Sequence, residues 1–547
     1  MKIVLSQINC HIGNFELNCS KIINNIKRAE KEGADLIIFP ELSIPGYPPL
    51  DLLGFENFIK RCYDSVNKIA ASCNNIAAIV GSPAYNDNPK GKPLFNSAFF
   101  LSEGKVKQVI NKGLLPNYDV FDEYRYFEPA NKFNIIDFKG YKLAVTICED
   151  LWSLYNKALY VASPMEELAK QQPDLLINIA ASPFSYIQHL DRKSVLAKNA
   201  VKYKLPVVYV NQTGAQTDLL FDGGSMTMNA PGEIIHEMKY FEEDYHVTSI
   251  DSIKNTKGEE VPKDMEKGEK IKLLYDGIVM GIRDYFQKTG FTKALLGLSG
   301  GLDSAVSLVL TAKALGSENV KALLMPSQFS SDHSVDDGVK IAENLKISHD
   351  ILHIKDLYKN FDKTLKPFFK DHSFGTTEEN IQARIRAVLL MAYSNKYNYV
   401  LLNTSNKSES AVGYSTLYGD MCGGLSVLGD VYKTEVYELA NYINQAGNII
   451  PENIINKPPS AELKPKQKDT DTLPEYELLD QILYNYIELQ LDAEEIIKIG
   501  FDPDIVNKII PMVNKSEHKR YQAPPVIRVS HKSFGIGRRM PIVAKYI

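Results

Sequence analysis

The sequence predicts a multidomain α/β protein, and three observations carry that expectation. At 547 residues the chain exceeds one ordinary domain, so two or three are expected. Over residues 1–252 short apolar strands alternate with amphipathic helices, the rhythm of layered α/β structure. Beyond a polar stretch, GLSGGLDS at 297–304 follows the apolar Ala294, Leu295 and Leu296 and precedes AVSLVL, which reads as strand, glycine turn and helix start.

Composition narrows the function classes. Hydrophobic residues make up 44% and charged residues 24% of the chain, the balance of a globular protein with sizeable cores. A formal net charge of −5 offers no general basic surface, which argues against nucleic acid or membrane as partner. No run approaches the roughly 18 apolar residues of a membrane span. The opening MKIVLSQINC lacks the long apolar region and cleavage site of a signal peptide. Cys10, Cys19, Cys62, Cys73, Cys148 and Cys422 form no CxxC pair, so a reducing cytoplasm is the expected location.

In chain order, strands are expected at 2–5, 35–39, 76–81, 97–102, 106–111, 142–147, 175–180 and 207–211, with helices at 18–32 and 55–72. Three of these strands end in residues whose types fit together chemically. Glu41 follows IIFP, Lys112 opens KGLLPNYDVFDE, and Cys148 follows LAVTI. Taken singly, a strand-end Glu or Lys is ordinarily solvated and a free Cys ordinarily buried and inert. Together they are the parts needed to hydrolyse an amide through a thioester. The thiol needs a base, here Glu41, which also protonates the departing ammonia. The oxyanion needs donors, here Lys112 and a backbone amide just after Cys148. A neighbouring ammonium also lowers a thiol's pKa.

The contexts FPELSIPGYPPLDLL, KGLLPNYDVFDE and TICEDLW, in that order, resemble the nitrilase superfamily over about residues 1–252. The resemblance implies a four-layer αββα sandwich. It implies that Glu123 is an additional glutamate supporting Lys112 and Glu41, and that Tyr47, Tyr118, Glu149, Trp152 and Ser182 line a glutamine pocket. Some relatives carry a basic residue shortly after the Ser-Pro that Ser182 begins, a neighbourhood that reads FSYIQHLDRK here.

Residues 253–268 are polar, contain Pro and Gly, and read as a connection between a domain at 1–252 and one at 269–547. After a helix expected at 271–287 comes GLSGGLDS. Backbone N–H groups around Gly300 and Gly301 and the start of a helix make a phosphate site, to which Ser299 and Ser304 add hydroxyls. Asp303 can hold a metal against the phosphates. The loop lacks the Lys of GxxxxGK[ST], so γ-phosphoryl transfer is not implied. A strand at 320–324 leads into MPSQFSSDHS. A helix is expected from TEENIQARIRAVLLMAYSNK, with Thr377 as cap and with Arg384 and Arg386 read as solvated. A strand at 399–402 leads into NTSNKSESAVGYSTLYGD, where Glu409 joins Asp303 as a candidate magnesium ligand. The polar segment 463–474 is expected to be a loop or lid. The basic run carrying Arg520, Arg528, Lys532, Arg538 and Arg539 is either a solvated face or folded back on the site or a neighbouring subunit.

The loop SGGxDS resembles that of adenylating ATP enzymes. The series SGGLDS, MPS, ENIQARIR, NTSNKSE, GYSTLYGD, Lys433, KPPSAEL and SEHKR resembles the NAD synthetase family over nearly all of the second domain. That resemblance implies a doubly wound, Rossmann-like parallel sheet. It implies ATP at Gly297, Ser299, Gly300, Gly301, Asp303, Ser304, Thr404 and Lys433, and Mg2+ at Asp303 and Glu409. Deamido-NAD would lie at Asn380, Arg384 and Asp420, with His518 and Lys519 closing over the site. Leu417 stands where short ammonia-using relatives can carry Lys, so substrate phosphate contacts are expected to be distributed differently. The fusion implies a ligase fed by glutamine, an ammonia channel and a homo-oligomer. An amidotransferase for another carboxylate differs only in the contacts between Asn380 and Asp420. An RNA-modifying enzyme with the same ATP loop is argued against by the acidic charge and the lack of CxxC or basic appendages. A silent nitrilase scaffold is argued against by Glu41, Lys112 and Cys148 together.

Overall fold

The computed structural model describes residues 1–154, 159–369, 372–465 and 467–545. Lys466, within the segment expected as a lid, lies outside the described residues. The chain divides into two units, Met1–Glu266 and Lys267–Ile547.

The first unit stacks two six-stranded sheets. One runs in the order Asp244–Ser249, Lys2–Gln7, Leu36–Ile38, Ala77–Tyr85, Leu94–Ser102, Lys105–Asn111. The other runs Ile234–Glu237, Met226–Met228, Val207–Asn211, Leu175–Ala180, Tyr141–Ile147, Ile136–Phe138. Strand periodicity sorts the side chains. Ile3 and Leu5 join Ile38, Ile79 and Val145 in the core between the sheets, while Val4 meets the helices outside. Helix Phe15–Lys31 presents Phe15, Cys19, Ile22, Ile26 and Ala29 to that outer core. Each such Ile stabilises the fold by roughly 1.5–3 kcal/mol. The helix starts earlier than its apolar pattern suggested because the Asn14 side chain caps it, accepting from Leu17 N at 3.2 Å. Helices Pro164–Ala169 and Gln188–Tyr203 pack on the second sheet through Met165, Leu168, Val195, Leu196 and Ala200. The layers are therefore αββα.

Residues 253–268 carry more structure than a polar connection suggests. Ile253 is buried at the end of a helix, Ile250–Asn255, and Glu259 exchanges backbone hydrogen bonds with Ile234 at 2.8 and 2.9 Å.

The second unit holds a five-stranded parallel sheet in the order Ser348–Ile351, Val320–Leu324, Ala294–Gly297, Val400–Asn403, Leu425–Ser426. The strand order reverses between Ala294–Gly297 and Val400–Asn403, which opens a crevice at their carboxyl ends. Helix Leu302–Leu315 rises from that crevice with most of its surface buried. A separate cluster joins helices Tyr476–Ile487, Ala493–Lys498 and Pro503–Lys515. Helix Thr376–Tyr397 is capped by Gly375 and Glu378, not Thr377: Gly375 N donates to the Glu378 carboxylate at 2.7 Å. Among the described residues no helix is long and apolar enough to cross a membrane.

Candidate active sites

Glu41, Lys112 and Cys148 converge at strand ends in the first unit. Lys112 Nζ donates to Glu41 Oε1 at 2.7 Å and to both Glu123 oxygens at 2.9 and 2.8 Å. Glu41 and Lys112 are completely buried. Glu41 Oε2 accepts from Ala181 N at 2.9 Å, and Tyr47 OH donates to Glu123 Oε1 at 2.9 Å. A close approach of backbones makes this possible: a Cβ on Gly81 would lie 2.1 Å from Leu42 N, next to Glu41.

Cys148 sits where strand Tyr141–Ile147 breaks into the turn Cys148–Leu154, with φ at 44°. That left-handed conformation costs a non-glycine residue about 1–3 kcal/mol and marks sites where geometry is imposed. Asp150 holds the turn. Its Oδ2 accepts from Ile147 N at 3.0 Å, and its Oδ1 accepts from Gly113 N at 2.9 Å and Leu114 N at 2.8 Å, tying the Lys112 loop to the Cys148 loop.

Burial pushes the Cys148 thiol well above its ordinary pKa, and Glu41 adds to this while Lys112 opposes it. Lys112 does lower the thiol's pKa, as expected of a neighbouring ammonium, but burial and the carboxylates outweigh it. At rest the group is a thiol that needs a base. Burial works against the Lys112 charge, but Glu123 and Glu41 hold it well above the ordinary lysine range. Burial raises Glu123 to about 7, with Lys112 opposing and Glu41 reinforcing.

The expected glutamine-pocket residues divide. Tyr118 OH donates to Glu149 Oε1 at 2.7 Å, and Ser182 N donates to Asn211 Oδ1 at 2.9 Å. Trp152 packs against the core between the sheets. The basic residues after Ser182 are engaged elsewhere: Arg192 makes a buried two-point pair with Asp222 at 3.0 and 2.6 Å, and Lys193 pairs with Glu237 at 2.8 Å.

In the second unit the crevice is a cavity of about 320 Å³ lined by Gly297, Ser299, Gly301, Asp303, Ser304, Thr404, Glu409, Asp420 and Lys433 among others. Gly300 has φ at +76°, and a Cβ there would lie 2.0 Å from Ser334 O, so only glycine fits. Ser299 Oγ accepts from Gly301 N at 3.1 Å and lies 3.1 Å from Ser304 Oγ. Asp303 pairs with Lys433 and accepts from Asn406 Nδ2 at 3.0 Å. Asn406 and Glu409 form a reciprocal helix cap, N to Oε2 at 3.2 Å and N to Oδ1 at 2.8 Å. Burial, with repulsion from Asp303, pushes the Glu409 carboxyl well above the ordinary range. Among the described residues no group of three or more His, Cys, Asp or Glu is arranged to hold a metal.

Asn380 Oδ1 accepts from Thr416 Oγ1 at 2.7 Å, and Asp420 Oδ1 accepts from Thr416 N at 2.7 Å. Asp420 lines the cavity and is exposed there, while the protein beneath it raises its carboxyl to about 6 by desolvation, against the pull of Lys519, Arg386 and Arg384. Arg384 Nε donates to Leu417 O at 3.2 Å, and Lys519 Nζ donates to Gly413 O and Ser415 O at 2.7 Å each. His518 is exposed, its Nδ1 2.9 Å from Lys515 O.

Reading Arg386 as solvated is corrected: it lines the cavity, donates to Met325 O at 3.0 Å, and is lowered by burial to about 10. The solvated reading of the C-terminal run is also corrected for three of its members. Arg520 is buried against the carbonyls of Ser410, Ala411 and Val513, Arg528 is buried beside the Ser530 and His531 carbonyls, and Arg538 pairs with Glu517 at 2.6 Å. Asn96, Gly81, Asp150 and Asn406 were not found from sequence. Only Asn406 left a signal there, the N-x-x-E pattern of a helix cap.

Two family models match the chain. Residues 2–257 match the carbon–nitrogen hydrolase model and residues 274–523 the NAD synthase model. The chain is 43% identical to the glutamine-dependent NAD(+) synthetase of Synechocystis, covering 100% of this chain and 99% of that one. It is 40% identical to that of Acinetobacter baylyi, over 99% and 98%. The chain belongs to the glutamine-dependent NAD(+) synthetase family. It is accordingly a carbon–nitrogen ligase with a nitrilase-like first domain and an NAD synthetase second domain. The solved structure of the Acinetobacter baumannii family member in complex with ADP is 39% identical, covers 99% of this chain and 98% of that one, and superposes with a TM-score of 0.77.

Proposed function

We propose that this chain converts deamido-NAD, ATP and glutamine to NAD, AMP, pyrophosphate and glutamate, with Cys148 as the glutaminase nucleophile and the 297–304 loop as the pyrophosphate site. The observation that carries the reading is the presence, in one chain, of a buried Glu–Lys–Cys centre and a glycine phosphate loop at a sheet's switch point. In the first domain Cys148 Sγ attacks the glutamine amide carbon. Glu41 takes the thiol proton and gives it to the departing ammonia. Lys112 supports the oxyanion. Water, deprotonated by Glu41, then cleaves the glutamyl thioester. Tyr47, Tyr118, Glu149, Trp152 and Ser182 would hold glutamine, and Glu123 would hold Lys112.

In the second domain a carboxylate oxygen of the nicotinate group attacks the α-phosphorus of ATP, and pyrophosphate leaves toward Ser299, Gly301, Ser304 and Lys433. Ammonia then attacks the acyl carbon and AMP leaves. Thr404 would contact ATP. Asn380, Arg384, Asp420, His518 and Lys519 would contact deamido-NAD. Two carboxylates with one ammonium between them are short of positive charge, so Asp303 and Glu409 fit a hard divalent cation. Mg2+ held there would supply neutralisation of the triphosphate. We infer a cytoplasmic location, supported by the lack of any disulfide among the described residues. We also infer a homo-oligomer, supported by exposed Val388 and Met391 one turn apart on helix Thr376–Tyr397.

The test is a product balance with glutamine carrying heavy amide nitrogen. Equimolar labelled NAD, AMP, pyrophosphate and glutamate are expected. NAD without label, or an acceptor other than deamido-NAD, would contradict the assignment.

A further inference from the structure

Two glutamates share one lysine in the first site, yet only one of them can serve as the base. Between them lies Asn96, on strand Leu94–Ser102 and 1% exposed. Its Nδ2 donates to Glu41 Oε1 at 2.7 Å and reaches Glu123 Oε2 at 3.3 Å. Its backbone carbonyl accepts from Lys112 N at 2.8 Å. One residue thus touches all three charged members of the cluster. Its Oδ1 is a buried acceptor with no hydrogen-bond partner. An unsatisfied buried acceptor is destabilising, so a purely structural role would be filled better by an apolar side chain of similar size.

We propose that Asn96 is a positioning residue for glutamine hydrolysis, whose amide donor supports and aims the Glu41 carboxylate as the base. The inference rests on the glutaminase reading of this site. The unequal reach of the Asn96 amide supports it. Glu41 accepts from Lys112, Asn96 and Ala181 N, all at 2.9 Å or less. Glu123 takes Lys112 and Tyr47 at similar distances, but Asn96 only at 3.3 Å. Hydrogen bonds to a carboxylate favour its charged form. The ionisable groups facing the pair are Lys112, Tyr47 and Cys148, with Glu149 beyond the thiol.

The test is the pH profile of glutamate release by the full chain for wild type, Asn96→Leu and Asn96→Asp. Asn96→Leu removes a donor from the Glu41 carboxylate, and Asn96→Asp puts another carboxyl group beside it. The acid limb of kcat/KM is expected to move up by about one pH unit. At neutral pH kcat should fall roughly 10- to 100-fold with KM within about 2-fold, and ammonia-driven NAD synthesis should be unchanged. Asn96→Asp has the shape of the native side chain and carries the test if Asn96→Leu folds poorly. An unmoved acid limb in a folded variant overturns the proposal, as does loss of the first domain's thermal transition in both variants. If Cys148→Ala also keeps glutamine-driven synthesis, the glutaminase reading itself has failed. If Cys148→Ala loses it and the Asn96 variants behave as wild type, only this inference has failed.

Discussion

In the first site the charged groups are satisfied by one another. Glu41 and Lys112 have no exposed surface, and the lysine's three short contacts all go to protein carboxylates. The second site is a cavity of about 320 Å³. Its phosphate loop is held by serine and backbone hydrogen bonds, Asp303 pairs closely with Lys433, and Arg386 lines the wall. The difference follows the chemistry. Thioester hydrolysis uses the protein's own nucleophile and base, so those groups must be assembled before glutamine arrives. Adenylation draws its reacting atoms from two substrates, so the protein supplies a shaped, polar space and donors.

Three substitutions and one titration bear on this contrast, from the largest expected effect to the smallest. Lys112→Ala should lower glutamine-driven synthesis by at least about 10³-fold. Because it leaves two carboxyls buried without their cation, it should also destabilise the first domain by about 3–5 kcal/mol, read as a lowered thermal midpoint. Asp303→Asn should lower glutamine- and ammonia-driven synthesis equally, by roughly 10²-fold, and leave glutamate release intact. Equal loss of glutamate release would erase the proposed division of labour. Gly300→Ala forces a Cβ against Ser334 O and a strained backbone, costing about 1–3 kcal/mol. ATP affinity should fall with it, as measured by titration calorimetry.

The smallest effect is a pH dependence. Glu123 sits at about 7 in the fold against an ordinary 4.5, so between those values the folded state holds a proton that the unfolded chain has lost. Its contribution to stability is fully present below about pH 4.5 and is lost as pH rises through about 7. Denaturant unfolding of Glu123→Gln should therefore show a flatter stability profile over that window than wild type. An unchanged profile would mean that Glu123 is ionised throughout.

The reactive residues were legible because their types are informative where they stand: Glu41, Lys112 and Cys148 all end apolar strands, and GLSGGLDS separates a strand from a helix. Their supports were not legible. Asn96 lies inside a strand, and Gly81 reads as an ordinary strand glycine until the Glu41 turn is seen crossing it. Strands Ile234–Glu237 and Asp244–Ser249 were missed because every residue in them is only half-buried, so polar side chains blur the alternation. The inward turn of Arg520, Arg528 and Arg538 depends on carbonyls and a carboxylate brought near by folding, which a charge run does not reveal.

The most direct measurement is NAD formation from ATP and deamido-NAD by wild type and Cys148→Ala, with either glutamine or ammonium chloride as nitrogen source. The expected result is that Cys148→Ala loses synthesis from glutamine and keeps synthesis from ammonium, since the thiol serves only the first site. Synthesis from glutamine that survives the substitution, or no NAD from wild type with either nitrogen source, would contradict the two-site assignment.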